Sequence, residues 1–252
     1  MDLSAPVFVL TSDVDWASDD CIEDMAAAVG EFAIRPVFMA TGKSKVLDRL
    51  LREDQIEVGL HPNFLPGSSH GTDVESVIDH VVGLYPDAAT FRSHCFVDSS
   101  HISAAMIARG FRYDSNLCLY MQSNIVPLRH SSGLVRLPVF WEDDDHWAWC
   151  NGEWNLDAVF ADFLAPGLKI FNVHPFNFAL NIPNGEAYRA AKRHIPTISR
   201  DGMEQLRYQG PGTRSFVLEL LRRLRTMKAC FLTLSEVYRM CGERIGKGRA
   251  SR

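Results

Sequence analysis

Short apolar runs rich in Val, Phe and Ile alternate along the chain with stretches in which apolar residues recur every three or four positions. The first kind reads as buried strands and the second as amphipathic helices, so their alternation predicts βα units around a parallel sheet. Strands are expected over 6–11 (PVFVLT), 36–41 (PVFMAT), 56–61 (IEVGLH), 89–94 (ATFRSH), 111–114 (FRYD), 134–142 (LVRLPVFWE), 168–174 (LKIFNVH) and 229–234 (ACFLTL). Helices are expected over 19–32, 45–54, 73–85, 99–110 and 216–227. Ser18 or Asp19 can cap the first of them, which carries acids in its first turn, and Gly110 ends the fourth. Residues 175–214, rich in Pro, Gly, Asn and Arg, read as a long surface excursion. No internal repeat or low-complexity linker interrupts the pattern, so a single domain over 1–252 is expected, with its core at about 6–240.

Composition narrows the class. With 252 residues, 46% hydrophobic and 23% charged, the chain suits one α/β domain of barrel size. A net charge of −5 leaves no basic footprint for a nucleic-acid partner, and the run Arg222-Arg223-Leu224-Arg225 reads as a solvated helix face. Six cysteines are scattered without a CxxC pair and are expected as reduced thiols. The N-terminal apolar run stops at an acidic turn without a basic leader, and no stretch approaches the roughly 20 apolar residues of a membrane span. A cytoplasmic protein is expected, and it can form homo-oligomers.

Chemistry collects at the strand ends. In a βα barrel the carboxyl ends of all strands meet on one face. There the expected strands place Asp13 and Asp15, then His61, Arg92 with His94, Asp114, the run Glu142-Asp143-Asp144, and His174. Singly, each has a bland explanation: aspartates form turns where strands give way to helices, and lone histidines are commonly hydrogen-bonded structural residues. A strand-terminal Arg92 amid carboxylates is better explained as a fixed ion-pair partner. Together they form the inventory of a metal hydrolase. In residues 140–149, aromatic rings beside carboxylates suit sugar binding, and equally suit a solvated acidic loop anchored by tryptophans.

The ordered series TSDVDW (11–16), EVGLHPNF (57–64), FRSH (91–94), FRYDSN (111–116) and FNVHP (171–175) resembles the five motifs of the polysaccharide deacetylases, also called NodB-like or carbohydrate esterase family 4, and in detail the WbmS-like branch. The resemblance implies an irregular (β/α)7 barrel and hydrolysis of an N-acyl group, acetyl or formyl, from an amino sugar in surface-polysaccharide synthesis. It further implies Asp13 as general base, Arg92 orienting it, His174 as general acid, and Asp15 and His61 as metal ligands. With Val14 between them, the two acids are expected to point differently along the strand. The second motif departs from the family pattern, because Leu65 stands where a second histidine is usual. His70, in a loop able to fold back over the barrel mouth, is taken as the third ligand, with His94 and His101 as competing candidates. One carboxylate with two imidazoles suits Zn2+, and Fe, Co, Ni or Mn would also fit. Asn63, His94, Asp114, Trp141, Glu142 and Asp143 are expected toward the glycan or small-molecule substrate, with Glu142 and Asp143 equally able to steady His174. Hydrolysis of another C–N bond, such as a formamide or cyclic amide, and sugar binding without turnover are the alternatives.

Overall fold

A computed structural model of the protein describes residues 2–150 and 152–247. In chain order its first half runs β1 (Pro6–Asp13), α1 (Asp19–Gly30), β2 (Val37–Ala40), α2 (Lys45–Arg52), β3 (Glu57–Leu60), α3 (Val74–Leu84), α4 (Ser100–Ala108) and β4 (Tyr113–Asp114). The second half runs β5 (Leu128–Arg129), β6 (Val135–Arg136), β7 (Val139–Glu142), α5 (Asp143–Trp149), α6 (Leu156–Leu164), β8 (Gly167–Asn172), α7 (Pro175–Leu180), α8 (Gly185–Ala191), α9 (Arg200–Leu206), α10 (Thr213–Thr226) and α11 (Leu234–Lys247). Ser18 caps α1, accepting from the Cys21 amide, as the sequence pattern suggests.

Five parallel strands lie in the order β3-β2-β1-β8-β7. Two irregular segments continue this sheet into a ring. Phe91 forms a parallel bridge to Leu60 on β3, and the Ser115 N–H donates to the Phe91 carbonyl at 3.0 Å. On the other side, the Leu119 N–H donates to the Val139 carbonyl at 2.9 Å and the Val139 N–H to the Leu117 carbonyl at 2.8 Å. β7, β8, β1, β2, β3, residues 90–92 and residues 113–119 are thus the staves of an irregular (β/α)7 barrel.

Several expected elements change form. The strand over 89–94 shrinks to the single bridge at Phe91, because the chain turns after Arg92. The run over 134–142 is two strands, β6 and β7, separated at Pro138, whose ring removes a ladder donor, and a register shift follows between Val139 and Trp141. The segment 229–234 contributes only the Phe8–Phe231 bridge beside the start of β1. Residues 175–214 are not a surface excursion. All six residues of α7 are buried, and Phe176, Ala179 and Leu180 join Cys21, Ile182, Ile198 and Met203 in a second apolar cluster. The polar composition had masked the short apolar run that packs α7 on α1. No helix among the described residues is long and apolar enough to cross a membrane.

The pleat of β8 sends alternate side chains to opposite faces. Asn172 turns toward the barrel interior, while Phe171 packs outward on Phe8 and Phe163. Lys169 shares the outward side, fully buried, with its Nζ 3.8 Å from the centre of the Phe140 ring and no hydrogen-bond partner. Burial lowers its pKa from 10.5 to about 8, since the charge of Asp162 compensates only part of the lost hydration. Cation–π attraction offsets only part of that cost. Because the folded-state value lies below the unfolded one, the penalty is full below pH 8 and fades as pH rises toward 10.5. Lys169→Met is expected to raise stability at pH 7 by about 1–3 kcal/mol, and denaturant titrations at pH 7 and 10 check that the gain shrinks at the higher pH.

Candidate metal and proton-transfer site

The carboxyl end of β1 delivers Thr11 and Asp13 to the barrel interior, where Arg92 meets them. Arg92 is fully buried, and every donor nitrogen of its guanidinium is engaged. Nε donates to the Ser115 carbonyl at 2.9 Å and Nη2 to the Ser115 hydroxyl at 2.8 Å. Nη1 donates to Asp13 Oδ1 at 2.8 Å, to Asn172 Oδ1 at 2.7 Å and to Thr11 Oγ1 at 3.0 Å. Asn172 completes the frame: its Nδ2 donates to Asp13 Oδ2 at 2.9 Å and to Glu142 Oε1 at 3.1 Å, and its Oδ1 also accepts the Asp13 N–H. Both oxygens of Asp13 are therefore held, and the carboxylate is aimed by two rigid partners.

β1 ends at Asp13, and the next turn is left-handed, with φ of 46° at Asp15 and 59° at Trp16. Asp13 and Asp15 diverge because of this turn and not by alternation along a strand. Such a conformation is costly for a tryptophan. It is stabilised by the Trp16 N–H, which donates to Thr41 Oγ1, and by the Trp16 ring, whose centre lies 5.2 Å from that of His94 and 5.8 Å from that of His70.

Asp15 Oδ1 stands 3.0 Å from His61 Nε2 and 3.0 Å from His94 Nδ1. Burial by itself would raise the pKa of Asp15, but the contacts with His61 and His94 and the charge of His174 hold it well below the usual carboxylate range. His61 is buried, yet neither of its ring nitrogens makes a hydrogen bond, with Asp15 Oδ1 3.0 Å from Nε2 and Asp13 Oδ1 3.7 Å from Nδ1. A buried imidazole with no partner is uncommon and points to a ligand of another kind. One ligand atom each from Asp15, His61 and His94 falls within 4.8 Å of the others. Two imidazoles and a carboxylate, without thiolate, fit a divalent transition metal.

Across the mouth, β8 runs into α7 through His174, with Pro175 at the first helical position, where its missing N–H costs nothing. His174 Nδ1 pairs with Asp143 Oδ1 at 2.7 Å, and the His174 N–H donates to Asp143 Oδ2 at 3.1 Å. Its Nε2 lies 3.7 Å from Asp15 Oδ2 and 3.8 Å from Glu142 Oε1. Burial alone would lower the imidazole pKa. The charge and hydrogen bond of Asp143, with Asp144 and Asp15, overcome it and hold His174 protonated well above the ordinary range. Asp144, half-buried, is raised to about 6 by desolvation and neighbouring acids.

Other expected residues stand elsewhere. His70 does not join the Asp15–His61–His94 group. Its Nδ1 accepts the Asn63 N–H at 3.1 Å and its ring stacks on His80, 5.0 Å between centres. Burial and the facing His80 lower its pKa to about 4. Asn63 uses its own Oδ1 to accept the Leu65 N–H, and Leu65 is exposed. His101 is exposed on α4. Asp114 is fully buried and held by Arg136, through Nε at 3.0 Å and Nη2 at 2.8 Å, so it fastens the barrel wall and does not face a substrate. Trp141 is also fully buried, stacked on Phe216 with its Nε1 donating to His146, so its ring belongs to the core. Sequence reasoning missed Asn172, Ser115 and Arg136. Asn172 alone carried a signal, as a polar residue at the end of an apolar strand two places before His174.

The model of the WbmS-like polysaccharide deacetylase family matches residues 10–192. Among curated proteins, none matches the chain. Among solved structures, a protein of Bordetella bronchiseptica described as a polysaccharide deacetylase involved in O-antigen biosynthesis, WbmS, is 28% identical with a TM-score of 0.76, over 86% of this chain and 90% of that one. A family 4 carbohydrate esterase from Streptomyces lividans, in complex with acetate, shares 11% identity and a TM-score of 0.50, over 91% and 93% of the two chains. A 4-alpha-glucanotransferase from Thermococcus litoralis, at 10% identity and TM-score 0.54, covers 93% of this chain and 38% of its own. These last two share the fold alone, and a fold does not decide the chemistry. The motif residues gathered at the barrel mouth and the family match over most of the chain agree: the protein belongs to the WbmS-like polysaccharide deacetylases.

Proposed function

We propose that this protein is a cytoplasmic, metal-dependent hydrolase that removes an acetyl or formyl group from the nitrogen of an amino sugar during surface-polysaccharide synthesis. The observation that supports this most is the arrangement of three groups at one barrel mouth: Asp15–His61–His94, with Asp13 held by Arg92 and Asn172 on one side and His174 held by Asp143 on the other. The metal would be held by Asp15, His61 and His94, so His94 takes the place that Leu65 leaves empty. When bound, a divalent ion, Zn2+ being the best fit to these donors, supplies a Lewis acid for the acyl oxygen and lowers the pKa of the attacking water.

The chain's own residues handle the protons. Asp13, with both oxygens oriented, takes the proton from the attacking water, and Arg92 keeps the carboxylate aimed. As the carbonyl carbon becomes tetrahedral, the C–N bond can break only if nitrogen leaves as a neutral amine. His174 gives it a proton from Nε2, while Asp143 stabilises the imidazolium before the transfer and fixes its tautomer afterwards. A pure sugar-binding protein would need neither group. The Bordetella protein's description places that relative in O-antigen biosynthesis, which supports a sugar intermediate as the substrate here.

Release of acetate or formate from a panel of nucleotide-linked N-acyl sugars, with the zinc-loaded protein, tests this reading. No release from any sugar, or turnover that a chelator leaves intact, would overturn it. Asp13→Asn is expected to lower kcat by about 10²- to 10⁴-fold with metal content unchanged. His94→Ala should lose the metal by elemental analysis, whereas His70→Ala should retain it; the opposite result would restore His70 as the ligand. Because Asp143 raises the His174 pKa, the alkaline limb of kcat/KM should lie above the ordinary imidazole range. In Asp143→Asn it should move to lower pH, and an unmoved limb would remove His174 as the acid.

A further inference from the structure

Glu142 closes β7 at the floor of this site, and the proton-transfer steps above do not use it. It is almost wholly buried. Its Oε1 accepts one hydrogen bond, from the neutral amide of Asn172, and its Oε2 has no partner. No arginine or lysine among the described residues makes an ion pair with it, and the one base near it, His174, at 3.8 Å, is already paired with Asp143. The groups that face it are mostly acids: Asp13 from β1, Asp144 and Asp145 from α5, with Cys118 beside Asp145, against Arg92 and His174. Asp13 already takes the contacts of Arg92. An ionised carboxylate buried under these conditions would carry a desolvation cost offset only by a long contact with an imidazole that Asp143 holds more closely.

Charge balance at the mouth agrees. Arg92, His174 and a divalent ion bring four positive charges to six carboxyls, those of Asp13, Asp15, Asp143, Asp144, Asp145 and Glu142. Carboxyls are in excess. Asp15 and Asp143 are paired with imidazoles, Asp13 with Arg92, and Asp144 and Asp145 reach water. Only Glu142 combines deep burial with the absence of a cation of its own. Desolvation first, then the charges of Asp144 and Asp13, raise its pKa well above the ordinary value, against the pull of His174 and Arg92.

We propose that Glu142 is a positioning residue that works as a neutral carboxylic acid, fixing the Asn172 amide, and through it Asp13, without placing a second charge beside Asp13. Asn172 Nδ2 can satisfy two acceptors at once, and a neutral Glu142 oxygen accepts from it without adding a second charge beside the base. The proton on Oε2 stays available as a hydrogen-bond donor in the site. What Glu142 serves rests on the hydrolase reading, but its protonation state can be measured without turnover.

The test is an infrared difference spectrum, wild type minus Glu142→Gln, of the zinc-loaded proteins at pH 7. The expected result is a protonated-carboxyl C=O band that the variant lacks. A difference that contains carboxylate bands alone would overturn the proposal. Gln is isosteric with the neutral acid, so Glu142→Gln should also fold and bind the same amount of zinc; failure to do either counts against the idea as well. If the wild type turns over a sugar, Glu142→Ala should lower kcat by about 100-fold, and Glu142→Gln should recover at least a tenfold part of that loss. A glutamine no better than alanine would show that the ionised form is needed. An inactive wild type that still shows the band would sink the hydrolase reading and leave the neutral Glu142 standing.

Discussion

The buried guanidinium of Arg92 is the constraint on which the rest of the structure depends. It sits where the regular sheet gives out, on a segment joined to β3 by one bridge, and its donors reach β1, β8 and Ser115 at once. A charge without access to water would cost several kcal/mol if any partner were lost, so the positions of these staves are mutually specified. The same bonds that close the irregular side of the barrel also orient Asp13. Structure and candidate chemistry therefore share one group.

Around this anchor, acids are distinguished by their partners. Asp13 has a guanidinium and an amide, Asp15 two imidazoles, Asp143 one imidazole, and Asp114 the guanidinium of Arg136. Glu142 has an amide, with the His174 imidazole at 3.8 Å. Residues of one chemical type thus meet different electrostatic surroundings within a single barrel mouth, which is how one site could hold a base, a ligand and a support for an acid. The left-handed turn at Asp15 and Trp16 serves the same separation, since an extended continuation of β1 would have turned Asp15 to the same side as Asp13.

The βα rhythm, the helices α1 to α4 and α10, and the strands β1, β2, β3 and β8 were legible because each carries its own periodicity over enough residues. The stave at 90–92, the break at Pro138 and the buried α7 were not, because each is held by contacts with distant segments. That Asp13, Asp15, His61, Arg92 and His174 meet at one end of the barrel was readable from motif order. Trp141 and Asp114 were misassigned for one reason: residue type shows that a side chain is aromatic or acidic, not whether its strand turns it to the mouth or to the core. His70 was placed ahead of His94 as the third ligand, since sequence does not show which of the two side chains comes within reach of Asp15 and His61.

The sequence by itself determined the family, the barrel class and the residue types available at its mouth, since these follow from local periodicity and motif order. Only the tertiary structure decided which histidine joins Asp15 and His61, that Asn172 links Asp13 to Glu142, and which acids have a cation beside them. Those outcomes depend on distances of about 3 Å between residues that lie 30 to 160 positions apart in the chain. No local pattern encodes such distances; they arise when the barrel closes.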